Sequence, residues 1–84
     1  MRPGNLGLTL NDLKPGERAR VRDCRGAGPV HQRLCEMGFV AGATVRLVRW
    51  APFGDPLQVE LHQSQLSLRR SEAAMIEVER LGSR

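Results

Sequence analysis

Apolar residues recur along this chain with two different spacings, one of two residues and one close to a helical turn. In residues 17–24, Ala19 and Val21 alternate with Arg18, Arg20 and Arg22, which predicts a first strand with one face buried and the other basic. Residues 44–50 form a second strand, Val45 and Leu47 alternating with Arg46, although Val48 and Trp50 make its opposite face apolar as well. A small curved barrel, or a strand lying against a partner, accommodates such a segment. Residues 57–62 place Leu57, Val59 and Leu61 on one face of a third strand, and residues 65–69 do the same for Leu66 and Leu68 in a fourth. A two-residue turn at Gln63-Ser64 pairs His62 with Gln65, Leu61 with Leu66 and Val59 with Leu68, so that the apolar residues share a face. The turn lacks the Asn-Gly chemistry favoured in tight hairpins, which leaves a looser four-residue turn open. Residues 75–79 form a fifth strand with Ile76 and Val78 inward.

Helical spacing is confined to short pieces. Val30, Leu34 and Met37, at i, i+4 and i+7, predict a helix over residues 29–37, with Leu34 and Met37 as its anchors. Pro29 suits the first helical position and Gly38 the left-handed residue after the last turn. Leu10 and Leu13 lie one turn apart before Pro15-Gly16, which predicts a single helical turn, and residues 71–74 read as one capped turn. Residues 51–56, with Pro52, Gly54 and Pro56, form an irregular loop. The expected architecture is mainly β: a small antiparallel barrel of about five strands, with one short helix between strands 1 and 2 and no βαβ rhythm. Residues 1–8 are expected to be a loose lead-in and residues 81–84 to fray.

The 84 residues fit one domain, residues 1–84, that buries only about 60–65% of its unfolded surface. With Phe39, Trp50 and Phe53 as the only aromatics, the core must be aliphatic. No apolar run approaches the roughly 18 residues that span a bilayer, and Arg2 is followed by Pro3, Gly4 and Asn5 rather than an apolar segment, so a cytoplasmic protein is expected. Thirteen Lys and Arg stand against nine Asp and Glu, a net charge of +4, and all the cations except Lys14 are Arg. Arginine suits bidentate pairing with carboxylate or phosphate, but the cations are scattered and no basic run exists. Nucleic acid is not an expected partner, because three aromatics are too few for stacking platforms along a basic groove. Catalysis is not expected either: there is no Ser-His-Asp arrangement and no Gly-Lys-Ser/Thr phosphate loop.

Two groups of side chains carry candidate chemistry. His31 and Cys35 lie four residues apart on the helix, about 115° from the centre of its apolar stripe, a spacing at which imidazole and thiolate can chelate Zn²⁺. Two ligands do not close a zinc site; Cys24, His62, a carboxylate such as Glu36, or a second molecule in a zinc-bridged homodimer would complete it. Thiolate argues against a dedicated Fe²⁺ store, and no cofactor is required. The bland alternative is a solvated imidazole beside a partly covered thiol. Arg46, Arg49, Trp50 and Phe53 gather at the end of strand 2 and its loop, and Arg and aromatics are the types enriched in interface cores. The alternative there is that Phe53 caps the barrel and Trp50 covers its edge.

The order of these pieces resembles a known family. The resemblance is carried by Leu10-x-x-Leu13-x-Pro15-Gly16-Glu17, by Arg33-Leu34-x-Glu36-Met37-Gly38-Phe39-Val40-x-Gly42-Ala43, by Ala51-Pro52-Phe53-Gly54-Asp55-Pro56 and by Leu66-Ser67-Leu68-Arg69-Arg70-Ser71-Glu72-Ala73. Over roughly residues 8–79 the chain resembles FeoA, the small accessory protein of bacterial ferrous-iron uptake. Ala41 stands where that family usually has Pro, and Cys24 where an aliphatic residue is usual. The resemblance implies an SH3-like barrel, a cytoplasmic place beside the inner membrane, and a non-catalytic role with the FeoB transporter, which carries a GTP-binding domain. SH3-like barrels commonly hold extended or proline-rich peptides on a loop face. Domains of this kind also form the C-terminal part of metal-dependent repressors, but no helix-turn-helix precedes the barrel here.

Overall fold

The computed structural model of the chain describes residues 8–81. The expected first turn is a 3-10 turn over Leu10–Asp12, capped by Thr9: the Asn11 N–H donates to Thr9 Oγ1 at 3.2 Å and the Thr9 N–H to Asp12 Oδ2 at 2.8 Å. The turn presses Leu10 and Leu13 fully into the core. Five strands follow, β1 (Arg18–Cys24), β2 (Thr44–Trp50), β3 (Leu57–Leu61), β4 (Ser64–Leu68) and β5 (Ile76–Arg80). Helix α1 (Gly28–Met37) joins β1 to β2, and a single-turn helix α2 (Arg70–Ala73) joins β4 to β5. The strands form one antiparallel sheet in the order β4-β3-β2-β1-β5. It curls around a core to which all five strands contribute, with no polar or charged side chain buried among the described residues.

The sheet stays open between β4 and β5. The free edge of β5 is met by Thr9, bridged to Glu77, and by the Leu8 carbonyl, which accepts from the Val78 N–H at 2.9 Å. Leu8 is thus fixed by the sheet rather than loose, and Leu81 is likewise held, its N–H donating to the Arg18 carbonyl at 3.2 Å. The rest of the expected loose ends, residues 1–7 and 82–84, lies outside the described residues.

Two bulges change which side chains face the core. Between Val21 and Asp23 the pairing of β1 with β5 shifts, so Val21 opposes Val78 and Cys24 opposes Ile76. Strict alternation from Ala19 and Val21 would turn Cys24 outward; the extra residue turns it in, where it is buried. Between Leu47 and Arg49 the pairing of β2 with β3 shifts in the same way, so Trp50 opposes the buried Leu57. The double-faced apolar pattern of residues 44–50 is the imprint of that bulge.

The β3–β4 hairpin departs from its expected register. The turn is His62-Gln63, both at positive φ (53° and 68°), and pairs Leu61 with Ser64, Val59 with Leu66 and Leu57 with Leu68. Positive φ at both central residues matches the right-handed strand twist, which outweighs the unfavourable residue types. The shift from the expected pairing is two residues, an even number, so Leu57, Val59, Leu66 and Leu68 keep their common face.

Helix α1 ends at Gly38, whose φ of 114° lets its N–H donate to the Leu34 and Cys35 carbonyls. A Cβ there would also lie 3.1 Å from the His62 ring. Of the expected apolar stripe only Leu34 is fully buried; Met37 is half-buried, and Val30 is 41% exposed, facing a groove shared with Arg33, Glu72 and Met75. Helix α1 thus meets the barrel through Leu34 at the centre, with Met37 and Cys35 packed half-buried beside it and Val30 outside the contact. Leu34→Ala is therefore expected to lower unfolding stability by about 2–5 kcal/mol and Val30→Ala by no more than about 0.5 kcal/mol, read from chemical denaturation of each variant. Equal losses would mean that the helix packs by a broader face.

Carboxylates tie the outer elements together. Glu72 accepts from the Arg69 N–H at 2.9 Å and pairs with Arg33, joining α2 to α1, while Glu17 accepts from the Lys14 N–H at 2.9 Å and from Arg80 Nε at 2.6 Å. Burial raises each carboxyl's pKa, but the backbone N–H and the guanidinium outweigh it, and both lie below the ordinary value of 4.5. A carboxyl whose pKa is lowered by folding contributes stability that is present above its unfolded pKa and lost as pH falls through the folded one. Melting temperature is expected to fall on acidification below about pH 5, and to fall less steeply in Glu72→Gln; thermal melts across that range read the difference.

Candidate functional site

Chemistry collects at two places in the fold. The first is the β2–β3 loop, residues 51–56, which the sequence marks as irregular. Its backbone closes on itself, the Ala51 N–H donating to the Pro56 carbonyl at 2.9 Å and the Gly54 N–H to the Ala51 carbonyl at 2.7 Å. Arg70, at the start of α2, braces it from outside. Its Nη1 donates to the Gly54 carbonyl at 3.1 Å, its backbone N–H to Asp55 Oδ1 at 3.1 Å, and its guanidinium carbon stands 5.3 Å from the Trp50 ring centre. On this braced loop Phe53 is 96% exposed, so it does not cap the barrel. A side chain of that size left in water is an exposed apolar feature on a loop whose backbone is already hydrogen-bonded.

The four expected partner-binding residues divide between two faces. Arg46 donates through Nε to Glu60 Oε1 at 3.0 Å and Arg49 through Nε to Gln58 Oε1 at 2.9 Å, both across to β3 on the outer face of the sheet. Trp50 is carried by the Val48 bulge onto the Leu57 side and lies beneath Arg70, 40% exposed. Trp50 and Phe53 therefore go with the surface braced by Arg70, and Arg46 and Arg49 lie on the other face of the sheet. Arg70 and Asp55 belong to that surface and carry no spacing signal in the sequence; both fall within segments that carry the family resemblance.

The second place is the junction of β1 and α1. His31 and Cys35 are both half-buried on α1, and Cys35 Sγ is 3.6 Å from His31 Nε2. The bulge in β1 brings the inward Cys24 to them, and the three ligand atoms all lie within 4.8 Å of one another. Of the other ligands considered, Glu36 accepts from Gln32 on the exposed side of α1 and His62 sits in the β3–β4 turn against Gly38. Neither joins the group. Burial pushes the Cys24 thiol up to about 11, with Cys35 and then Asp23 adding to it, so the sulfur is protonated and inert at neutral pH in the absence of a cation. Both cysteines are free. An open cleft of about 570 Å³ borders the group, lined by residues 26–29 with His31, Gln32 and Cys35.

A small curled antiparallel sheet of five strands with one helix between the first two defines an SH3-like domain. The chain belongs to the FeoA family: the FeoA domain model matches residues 8–80. The solution structure of the FeoA protein from Chlorobium tepidum is 38% identical and superposes with a TM-score of 0.83 over 92% of this chain and 73% of that one. The crystal structure of Stenotrophomonas maltophilia FeoA complexed with zinc, described as an SH3 domain protein, is 36% identical, with a TM-score of 0.74 over 86% of this chain and 89% of that one. A Porphyromonas gingivalis protein in which Fe(2+) transport protein A is fused to the Fe(2+) transporter FeoB is 40% identical over 76 residues. That match takes in 90% of this chain and 9% of the fusion protein.

Because Trp50 is the only tryptophan, its fluorescence reports on the loop directly. Arg70→Ala is expected to red-shift its emission and raise its quenching by iodide while changing stability little. Unchanged emission and quenching would show that the loop holds its form without the arginine.

Proposed function

We propose that this chain is a single-domain, non-catalytic accessory protein of ferrous-iron uptake that acts in the cytoplasm by docking on the cytosolic part of a FeoB-type transporter. The observation that carries this reading is the relative from Porphyromonas gingivalis, in which a FeoA-like segment and FeoB are one polypeptide. Fusion keeps two partners at high effective concentration, and a separate chain must reach the same contact through its own surface. The surface on offer is Phe53 with Trp50 and Arg70. Exposed aromatics with Arg70 beside them have the residue types of an interface hot spot, and Arg70, with Arg46 and Arg49 on the outer face, suits an acidic face on the transporter. No helix among the described residues is long and apolar enough to cross a membrane, which supports a peripheral place, held through the partner.

The test is a titration of the full chain with the cytosolic, GTP-binding part of FeoB, with and without guanine nucleotide, followed by Trp50 emission. Phe53→Ala is expected to weaken binding by about tenfold or more and to leave the melting temperature unchanged, because the side chain is almost wholly in solvent. Wild-type affinity in Phe53→Ala would remove the loop from the interface, and no binding by the wild type would remove the docking itself.

A further inference from the structure

We propose that Cys24, His31 and Cys35 form a Zn²⁺ site with three ligands from one chain and a fourth position open to water or a small anion. Tetrahedral zinc, with Zn–S of about 2.3 Å and Zn–N of about 2.0–2.1 Å, sets its ligand atoms about 3.6 Å apart for S···N and about 3.8 Å for S···S. The Cys35–His31 separation is already 3.6 Å, and no separation in the trio exceeds 4.8 Å. The largest adjustment needed is thus about 1 Å, within reach of small side-chain rotations. The donors also come from elements that the fold fixes against each other: Cys24 is held by the β1–β5 pairing, and His31 and Cys35 by one turn of α1.

The chemistry of the set selects the metal. Two soft thiolates and an imidazole favour zinc over Fe²⁺, which lies lower in the divalent series and prefers oxygen and nitrogen donors. The site would therefore not carry iron as cargo. Three protein ligands beside an open cleft leave the fourth position to solvent, so no second copy of the chain is needed to complete the shell. The other chemistry open to a thiol next to an imidazole, nucleophilic attack, needs a third group to orient the ring. Among the described residues the only side-chain hydrogen bond of His31 is the one to Cys35.

Bound zinc would staple α1 to the end of β1, at the helix whose one fully buried anchor is Leu34. A ligand that binds only the folded chain raises its melting temperature in step with free metal concentration. The test uses the full chain under reducing conditions, with Co²⁺ as the spectroscopic probe and Zn²⁺ as its competitor. One equivalent of Co²⁺ is expected to give thiolate-to-metal charge transfer with the visible bands of tetrahedral cobalt, both removed by Zn²⁺ and not by equimolar Fe²⁺. Cys24→Val, Cys35→Ser and His31→Gln should each weaken binding by more than the ~10–100-fold that loss of an outer-shell partner costs, and each should lose the zinc-dependent rise in melting temperature. His62→Gln and Glu36→Gln should match the wild type. Cys24→Val keeps an apolar side chain in the buried position, and Cys35→Ser changes a half-buried one, so at least one cysteine variant reads the site in a folded chain. Absence of charge transfer in the reduced wild type overturns the site, as do bands that survive both cysteine substitutions. A mass that doubles with zinc in light scattering overturns the open fourth position. Both readouts are independent of the transporter, so they stand or fall apart from the docking reading.

Discussion

A strand assigns each of its side chains to one face of the sheet by a period of two, and in this protein the working surfaces depend on the two places where that period is interrupted. The extra residue in β1 turns Cys24 from the solvent face to the core face, beside α1. The extra residue in β2 turns Trp50 onto the side of Leu57 and out of line with Arg46 and Arg49. Bulges also bend the bulged strand and increase its twist, which helps a sheet of only five strands curl around its own core. The same two residues thus shape the barrel and aim the side chains with which it can act.

Much of this fold can be read from residue order. Alternation at Ala19 and Val21, at Val45 and Leu47, and at Ile76 and Val78 marks inner faces that the structure confirms, and the Pro29 and Gly38 signals bracket α1 to within a residue. The hairpin of β3 and β4 shows why such a reading tolerates error: a register wrong by two residues still gives the correct inner face. The bulge in β1 escapes because its extra residue, Arg22, is an ordinary strand residue, whereas that in β2 shows only as an apolar pair, Val48 and Trp50, opposite Val45 and Leu47. That is why Cys24 stands in the sequence as one of several possible companions to His31 and Cys35, and in the structure as the one beside them. Val30 escapes for a different reason. Helical periodicity states which residues could share a buried face, while the width of that face is set by the partner surface, and here it admits Leu34.

A core of aliphatic side chains around the single buried aromatic, Phe39, leaves little stabilising area for peripheral elements. Those elements are joined by hydrogen bonds and ion pairs at the rim: Glu72 with Arg33 between the two helices, Glu17 with Arg80 across the start of β1, and Arg70 with the β2–β3 loop. Exposed pairs of this kind contribute about 0–1 kcal/mol each, but they act on orientation more than on stability. Arg70 makes two hydrogen bonds to the loop and lies over Trp50 beside it, while α1 is held by Leu34 in the core and by Arg33 on Glu72. These ties hold the backbone of the proposed docking loop, and zinc at the proposed site would add a further tie between α1 and β1.

The antiparallel pairing of β1 with β2 also separates the two surfaces. Arg18 opposes Arg46 and Arg20 opposes Thr44, so Cys24 lies beyond the start of β2, whereas Trp50 lies beyond the start of β1. The proposed zinc ligands and the proposed docking loop therefore stand at opposite ends of one strand pair. An effect of zinc on transporter binding would require an element whose two states both sites bias, since coupling is an energy shared between states rather than a matter of common membership in a fold. Between them, β1 and β2 are paired at Arg18–Arg20 with Thr44–Arg46 and packed on the common core. Helix α1 carries His31 and Cys35 and is tied by Arg33 and Glu72 to α2, whose Arg70 braces the loop. The element that could couple them is thus α1 with α2, and the proposed docking loop answers to the proposed metal site only where that pair of helices has two arrangements.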